Sequence, residues 1–143
     1  MKYLFFLIAV CAITSSCKKN SLDIPSFWQC NSVQNLDSAL IATKISGSWK
    51  WAKQSCYSTG KTIRADKDIK VTFTTNGNFT VLENSSVITQ GNWKLKLVDS
   101  NMWGLDLTTP SIYLYGRVLF CDNQVLFNDS YRDACDNLFE KIN

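Results

Sequence analysis

Ile69-Lys70-Val71-Thr72-Phe73-Thr74-Thr75-Asn76-Gly77-Asn78-Phe79-Thr80-Val81 alternates apolar and polar side chains on both sides of an Asn-Gly step. Period-two alternation is what one buried sheet face demands, and Asn-Gly suits the tightest hairpin turns, with φ > 0 at both residues. The stretch predicts two antiparallel strands joined by a two-residue turn. The same period runs outward from it. Upstream it takes in Trp49, Trp51 and Lys53; downstream every second residue from Val87 to Leu97, then Trp103, Leu105 and Leu107, Ile112 and Leu114, and Val125 and Phe127. Opposite faces carry Lys70, Thr72, Lys94, Lys96, Asp106 and Thr108, so most strands have one wet face. Glu83-Asn84-Ser85-Ser86 and Asp122-Asn123 read as further tight turns, and Gly91 and Gly116 as bends or bulges. About eight strands are expected between residues 45 and 143, and sequential hairpins without long crossovers favour a closed up-and-down barrel over a sandwich.

Before Ile45 the period is helical. Val33, Leu36, Leu40 and Lys44 fall at i, i+3, i+7 and i+11, predicting one short helix capped by Asn31 or Ser32. Residues 17–32 are mostly polar, carry Pro25 and have Phe27-Trp28 as the only large apolar pair, so they read as a tether, with the folded domain at 33–143. A chain of 143 residues with 45% hydrophobic content has room for one domain. Its net charge of +3, with no basic run longer than two, argues against nucleic-acid binding. The absence of His removes Ser-His-Asp and Cys-His schemes and His-ligated metals, so no catalytic residue, metal or cofactor is expected.

Met1-Lys2-Tyr3, an apolar run from Leu4 to Ile13 and Thr14-Ser15-Ser16-Cys17 read as a signal peptide over residues 1–16. Ten apolar residues rise about 15 Å, roughly half the hydrocarbon core, which disfavours a permanent membrane span. Ser15-Ser16-Cys17 resembles the lipobox of bacterial lipoproteins, and with Lys18-Lys19 it looks like the form found in the Bacteroidota; Thr14 departs from the usual Leu. The resemblance implies cleavage before Cys17 and acylation of that residue, which places the protein on the cell envelope, at the outer membrane, with the membrane as its first partner.

Cys11 leaves with the signal and Cys17 takes the lipid, so Cys30, Cys56, Cys121 and Cys135 remain. An even count in an exported chain implies two disulfides, with three connectivities open, and no spacing suits zinc.

Ile45-Ser46-Gly47-Ser48-Trp49-Lys50-Trp51 resembles the G-x-W opening of lipocalins, and more closely that of short lipocalin-like domains in Bacteroidota lipoproteins. The later elements follow in order: a strand with an Asn-Gly turn at 69–79, Gly91-Asn92-Trp93, and Asp136-Asn137-Leu138-Phe139 as the Asp-x-x-aromatic final strand. Carried over to Gly47 and Trp49, the motif implies that Trp49 closes one barrel end against Lys141. Closure pairs the first strand with the last. If Cys56 and Cys135 bond across that seam, Trp49 falls opposite Ile142 and beside Lys141, which agrees and leaves Cys30 with Cys121. The same register turns Glu140 inward and Phe139 outward, unless a bulge near Asp136 restores Phe139 to the core.

Inward aromatics could line a cavity for a small apolar or amphipathic ligand, with Trp51, Trp93 and Trp103 as walls and Glu140 as the polar contact. The alternative is a filled barrel acting as a structural or protein-interaction module for an envelope partner, with Tyr113 and Tyr115 exposed. Asp129, Asp133, Asp136 and Glu140, among Arg132 and Lys141, read as a solvated, salt-bridged turn.

Overall fold

The structure, a computed structural model, describes residues 22–99 and 101–142. Helices α1 (Ile24–Ser32) and α2 (Ser38–Ile45) precede strands β1 (Gly47–Cys56), β2 (Lys61–Arg64), β3 (Ile69–Phe73), β4 (Asn78–Glu83), β5 (Ser86–Asp99), β6 (Met102–Leu107), β7 (Arg117–Cys121), β8 (Gln124–Asn128) and β9 (Cys135–Lys141). All pairings are antiparallel. The order β1-β3-β4-β5-β6-β7-β8-β9 returns to β1, closing the expected eight-stranded up-and-down barrel. β2 stands outside that circuit, paired only with the second half of β1, from Lys53 to Cys56. The seam between β6 and β7 is the thinnest, a single pair, Gly104 with Arg117. Gly104 makes the approach possible, because a Cβ there would lie 2.5 Å from the Gly116 carbonyl oxygen; Gly116, at φ +93°, in turn lies against β8, where a Cβ would stand 2.0 Å from the Asn128 carbonyl oxygen.

The hairpin at Asn76-Gly77 is present with a different turn. Only Gly77 has φ > 0, and its N–H donates to Thr74 O while Thr74 N–H donates to Asn78 O. That is a longer loop built on an ordinary turn, which needs one left-handed residue. The tighter form, left-handed at both central residues, lies instead at Asn84-Ser85.

Alternation places Trp49, Trp51, Ile69, Val71, Phe73, Phe79, Val81, Trp93, Leu105, Val118, Phe120, Val125, Phe127 and Phe139 in one core. The register across the closing seam corrects the sequence reading. Trp49 pairs with Lys141 and Trp51 with Phe139, then Lys53 with Leu138 and Cys56 with Cys135; the shift between Trp51 and Lys53 is a bulge at Ala52. A bulge in β1, not near Asp136, thus turns Phe139 inward, and Glu140 lies exposed beside Lys50, bonded to Gln124 at 3.2 Å.

Residues expected as a tether form α1. Asp23 caps it, accepting from Ser26 N–H at 3.2 Å, and Pro25 sits in its first turn. Phe27 buries against Leu119, Leu126 and Leu138, which point out of the barrel wall, with Ile24, Trp28 and Ala52 around them. Those strands are apolar on both faces, and α1 covers the outer one. The expected single helix with a Val33, Leu36, Leu40, Lys44 stripe is corrected too. Val33 and Leu40 are exposed, and α2 starts after Asp37, whose side chain accepts from Leu40 N–H at 2.8 Å. Ile41 and Ile45 are its buried pair, packed on the barrel core. Ile112-Tyr113-Leu114 is not a strand: Leu114 N–H donates to Ser111 O in a turn, leaving Ile112 outside and both Tyr113 and Leu114 inside.

Candidate functional site

The barrel interior is packed at both ends. At the end where β1 begins, Trp49 is 2% exposed, and its Nε1 donates to Ile45 O of α2 at 2.7 Å. Lys141 Nζ stands 5.1 Å over its ring, the contact that the G-x-W resemblance implies, and also donates to Lys44 O at 3.4 Å. At the other end the 108–116 connection turns Tyr113 onto the edge of Trp51, centroids 5.5 Å apart. Burial holds the Tyr113 phenol above its ordinary value near 10, so it stays neutral and acts as an apolar plug. The expectation of Tyr113 as an exposed aromatic is corrected; Tyr115 is exposed and lines a cleft of about 210 Å³ with Lys96, Asp106, Pro110 and Arg132.

The four residues expected to line a ligand cavity are not brought together. Trp93 is buried edge-on to Phe73, 5.7 Å between centroids, and borders a 190 Å³ cleft with Leu107 and Thr108. Trp103 is half-buried and lines a different cleft, of 120 Å³, with Leu36 and Ile41. Trp51 borders neither, and Glu140 is on the outer surface. One feature does unite Trp51 and Trp93. The Nε1 of each is buried with no hydrogen-bond partner among the described residues.

The acidic turn is more buried than its composition suggests. Asp136 is 2% exposed, and its Oδ1 accepts from Asn128 Nδ2 at 2.9 Å, Asp129 N–H at 2.7 Å and Ser130 N–H at 2.8 Å. Asp129, also buried, accepts from Arg132 Nε at 2.8 Å. The two carboxyl groups therefore organise the β8–β9 turn. Outside the barrel, Arg117 is paired with Asp99 and stacked between Tyr131, 3.8 Å from the ring centroid, and Trp28, 5.5 Å away. These come from four separate segments, so no local pattern could have announced the stack.

The disulfides are Cys30–Cys121, which ties α1 to the end of β7, and Cys56–Cys135, which clips the closing seam. Cys30, Cys121 and Asp122 cluster, but the two sulfurs are bonded to each other. Charge is arranged by sector. Asp68 lies between Lys70 and Lys50, and Asp106 between Lys94 and Lys96; hydrogen bonds from these cations hold both carboxyls below the usual aspartate range. The signal segment and Cys17 lie outside the described residues. In comparisons with known proteins, no family model, curated protein or solved structure matches this chain.

Proposed function

We propose that this is a lipid-anchored, outer-membrane protein of the cell envelope that performs no catalysis and whose barrel is a packed platform for contacts made by its outer surface. The observation that carries the reading is the filling of the interior: Trp49, Phe73, Phe79, Phe120, Phe127 and Phe139 are all essentially without exposure inside an eight-stranded barrel, a circumference just wide enough for its own side chains. Ligand carriers of this circumference keep space inside, and here α2 and Tyr113 occupy the two ends. The signal segment and Ser15-Ser16-Cys17 support export and anchoring, and two disulfides suit an oxidising compartment. In cells fed a labelled fatty acid, the wild-type chain should take up label and Cys17→Ala should not; equal labelling of both would remove the anchor.

The unpartnered indole N–H groups of Trp51 and Trp93 favour a second reading, in which a small apolar molecule with a hydrogen-bond acceptor enters the barrel and accepts from one of them. Titration with an apolar fluorescent probe separates the two. The packed platform predicts no saturable binding. Saturable binding lost in Trp93→Ala, with little change in stability, would put the ligand first.

A further inference from the structure

The excursion from Tyr57 to Asp68 is a part of the fold that barrel closure does not need. It is nevertheless built firmly. The Cys56–Cys135 bond holds its first end, the Ala65 N–H to Ala52 O hydrogen bond at 2.9 Å its second, and β2 pairs with β1 between them. On this platform Tyr57 is 70% and Ile63 43% exposed, with Lys61 and Arg64 exposed on either side of Ile63. An aromatic, an aliphatic and two cations held out on a rigid strand are the side chains that a headgroup layer accepts.

The charge around the excursion has the same sense. From Lys44 to Lys70, through the end of α2, β1, β2 and β3, the chain has seven basic and two acidic residues. From Asp99 to Lys141 the balance reverses, with three basic and seven acidic. Among the described residues no ion pair engages Lys53 or Lys61. The described chain also begins on this flank: Leu22 lines a 260 Å³ cleft with Lys53, and Lys53 is the cross-strand partner of Arg64. Only four residues separate Cys17 from Leu22, five steps along the chain and a reach of at most about 18 Å.

We infer that the β1–β2 flank is a lipid-facing surface, with Lys61 and Arg64 contacting anionic headgroups and Tyr57 and Ile63 entering the interfacial layer. The inference deepens the anchoring reading and rests on it for the height of the domain above the bilayer; the charge and apolar arguments stand apart from it. A basic side chain near an anionic surface is worth roughly fivefold in affinity, so two give about thirtyfold. β5 and β6, across the barrel circuit from β1, then point away from the lipid.

The test is amide hydrogen exchange of the full chain on two kinds of vesicle, phosphatidylcholine alone and phosphatidylcholine with 30% phosphatidylglycerol (on the order of one anionic lipid in three). Exchange across residues 57–64 should slow at least about tenfold on the anionic vesicles only, and the protection should vanish in high salt. Lys61→Gln with Arg64→Gln should abolish it while exchange in β7 and β8 keeps its wild-type pattern, which shows that the variant is folded. Equal exchange on both vesicles would overturn the inference, as would protection that survives the double substitution or appears across β5 and β6 instead. If the chain does not stay with phosphatidylcholine vesicles, anchoring has failed. The comparison then runs between chain free in solution and chain with anionic vesicles, with the same outcomes deciding it.

Discussion

Replacing Trp49 by alanine should lower the stability of the protein by about 3–5 kcal/mol, the range for losing a large aromatic side chain from a packed core. The indole is buried, 6.3 Å from the ring of Phe120, and joins three parts of the chain at once. Its ring fills the barrel end, its Nε1 satisfies the Ile45 carbonyl in the last turn of α2, and its face receives Lys141 from the final strand. Alanine removes all three contacts. Trp49→Phe separates them, since most of the volume remains while the Ile45 carbonyl loses its donor; a loss of about 1–2 kcal/mol is expected there. Urea unfolding measures both. The midpoint should fall at unchanged slope, and a Trp49→Ala loss below about 1 kcal/mol would mean that the barrel end closes without this residue.

Asp136→Ala should cost about 3 kcal/mol, although the position lies in a turn that composition alone presents as wet. Three donors converge on one carboxyl oxygen, two of them the backbone N–H groups of Asp129 and Ser130. Removing a buried acceptor leaves each donor to bear its own desolvation, about 1–3 kcal/mol apiece where water cannot reach it. Water will reach Ser130, which is only half-buried, and this holds the total near the lower figure. Asp136→Asn keeps an oxygen in place and should cost no more than about half as much. Exchange of the Asp129 and Ser130 amides reports the local loss directly, and unchanged protection of both in Asp136→Ala would refute the account.

The barrel was legible because period-two alternation is a local signal repeated strand after strand, and the seam only to within one residue, once Cys56 is taken to bond Cys135 among three open connectivities. Burial of Phe139 was not, because one unpaired residue, Ala52, shifts every pairing on one side of it, and a bulge leaves no compositional mark. The α1 segment reads as a tether because its nine residues carry only a short apolar stripe. The missing signal lay elsewhere in the chain. Val118-Leu119-Phe120 and Val125-Leu126-Phe127 are apolar at consecutive positions, and a strand apolar on both faces requires something to cover its outside. The Trp51, Trp93 and Trp103 group was right in parity, yet parity says only which way a side chain points. How deep it sits, and whether another residue fills the space in front of it, depends on Tyr113, which a turn rather than a strand delivers to the interior.

The single residue pair between β6 and β7 gives the cylinder a mechanical grain. On one side of it, β7, β8, β9 and β1 are braced by α1 across their outer face, by Cys30–Cys121 and by Cys56–Cys135. On the other, β3 to β6 form a meander of hairpins, joined to the braced half through the β1–β3 pairing. Thermal opening follows the least resistance, so the wall parts first between Gly104 and Arg117, with the Arg117–Asp99 pair as its latch, and the two halves swing apart like a book whose spine is the β1–β3 pairing from Gly47 to Lys50.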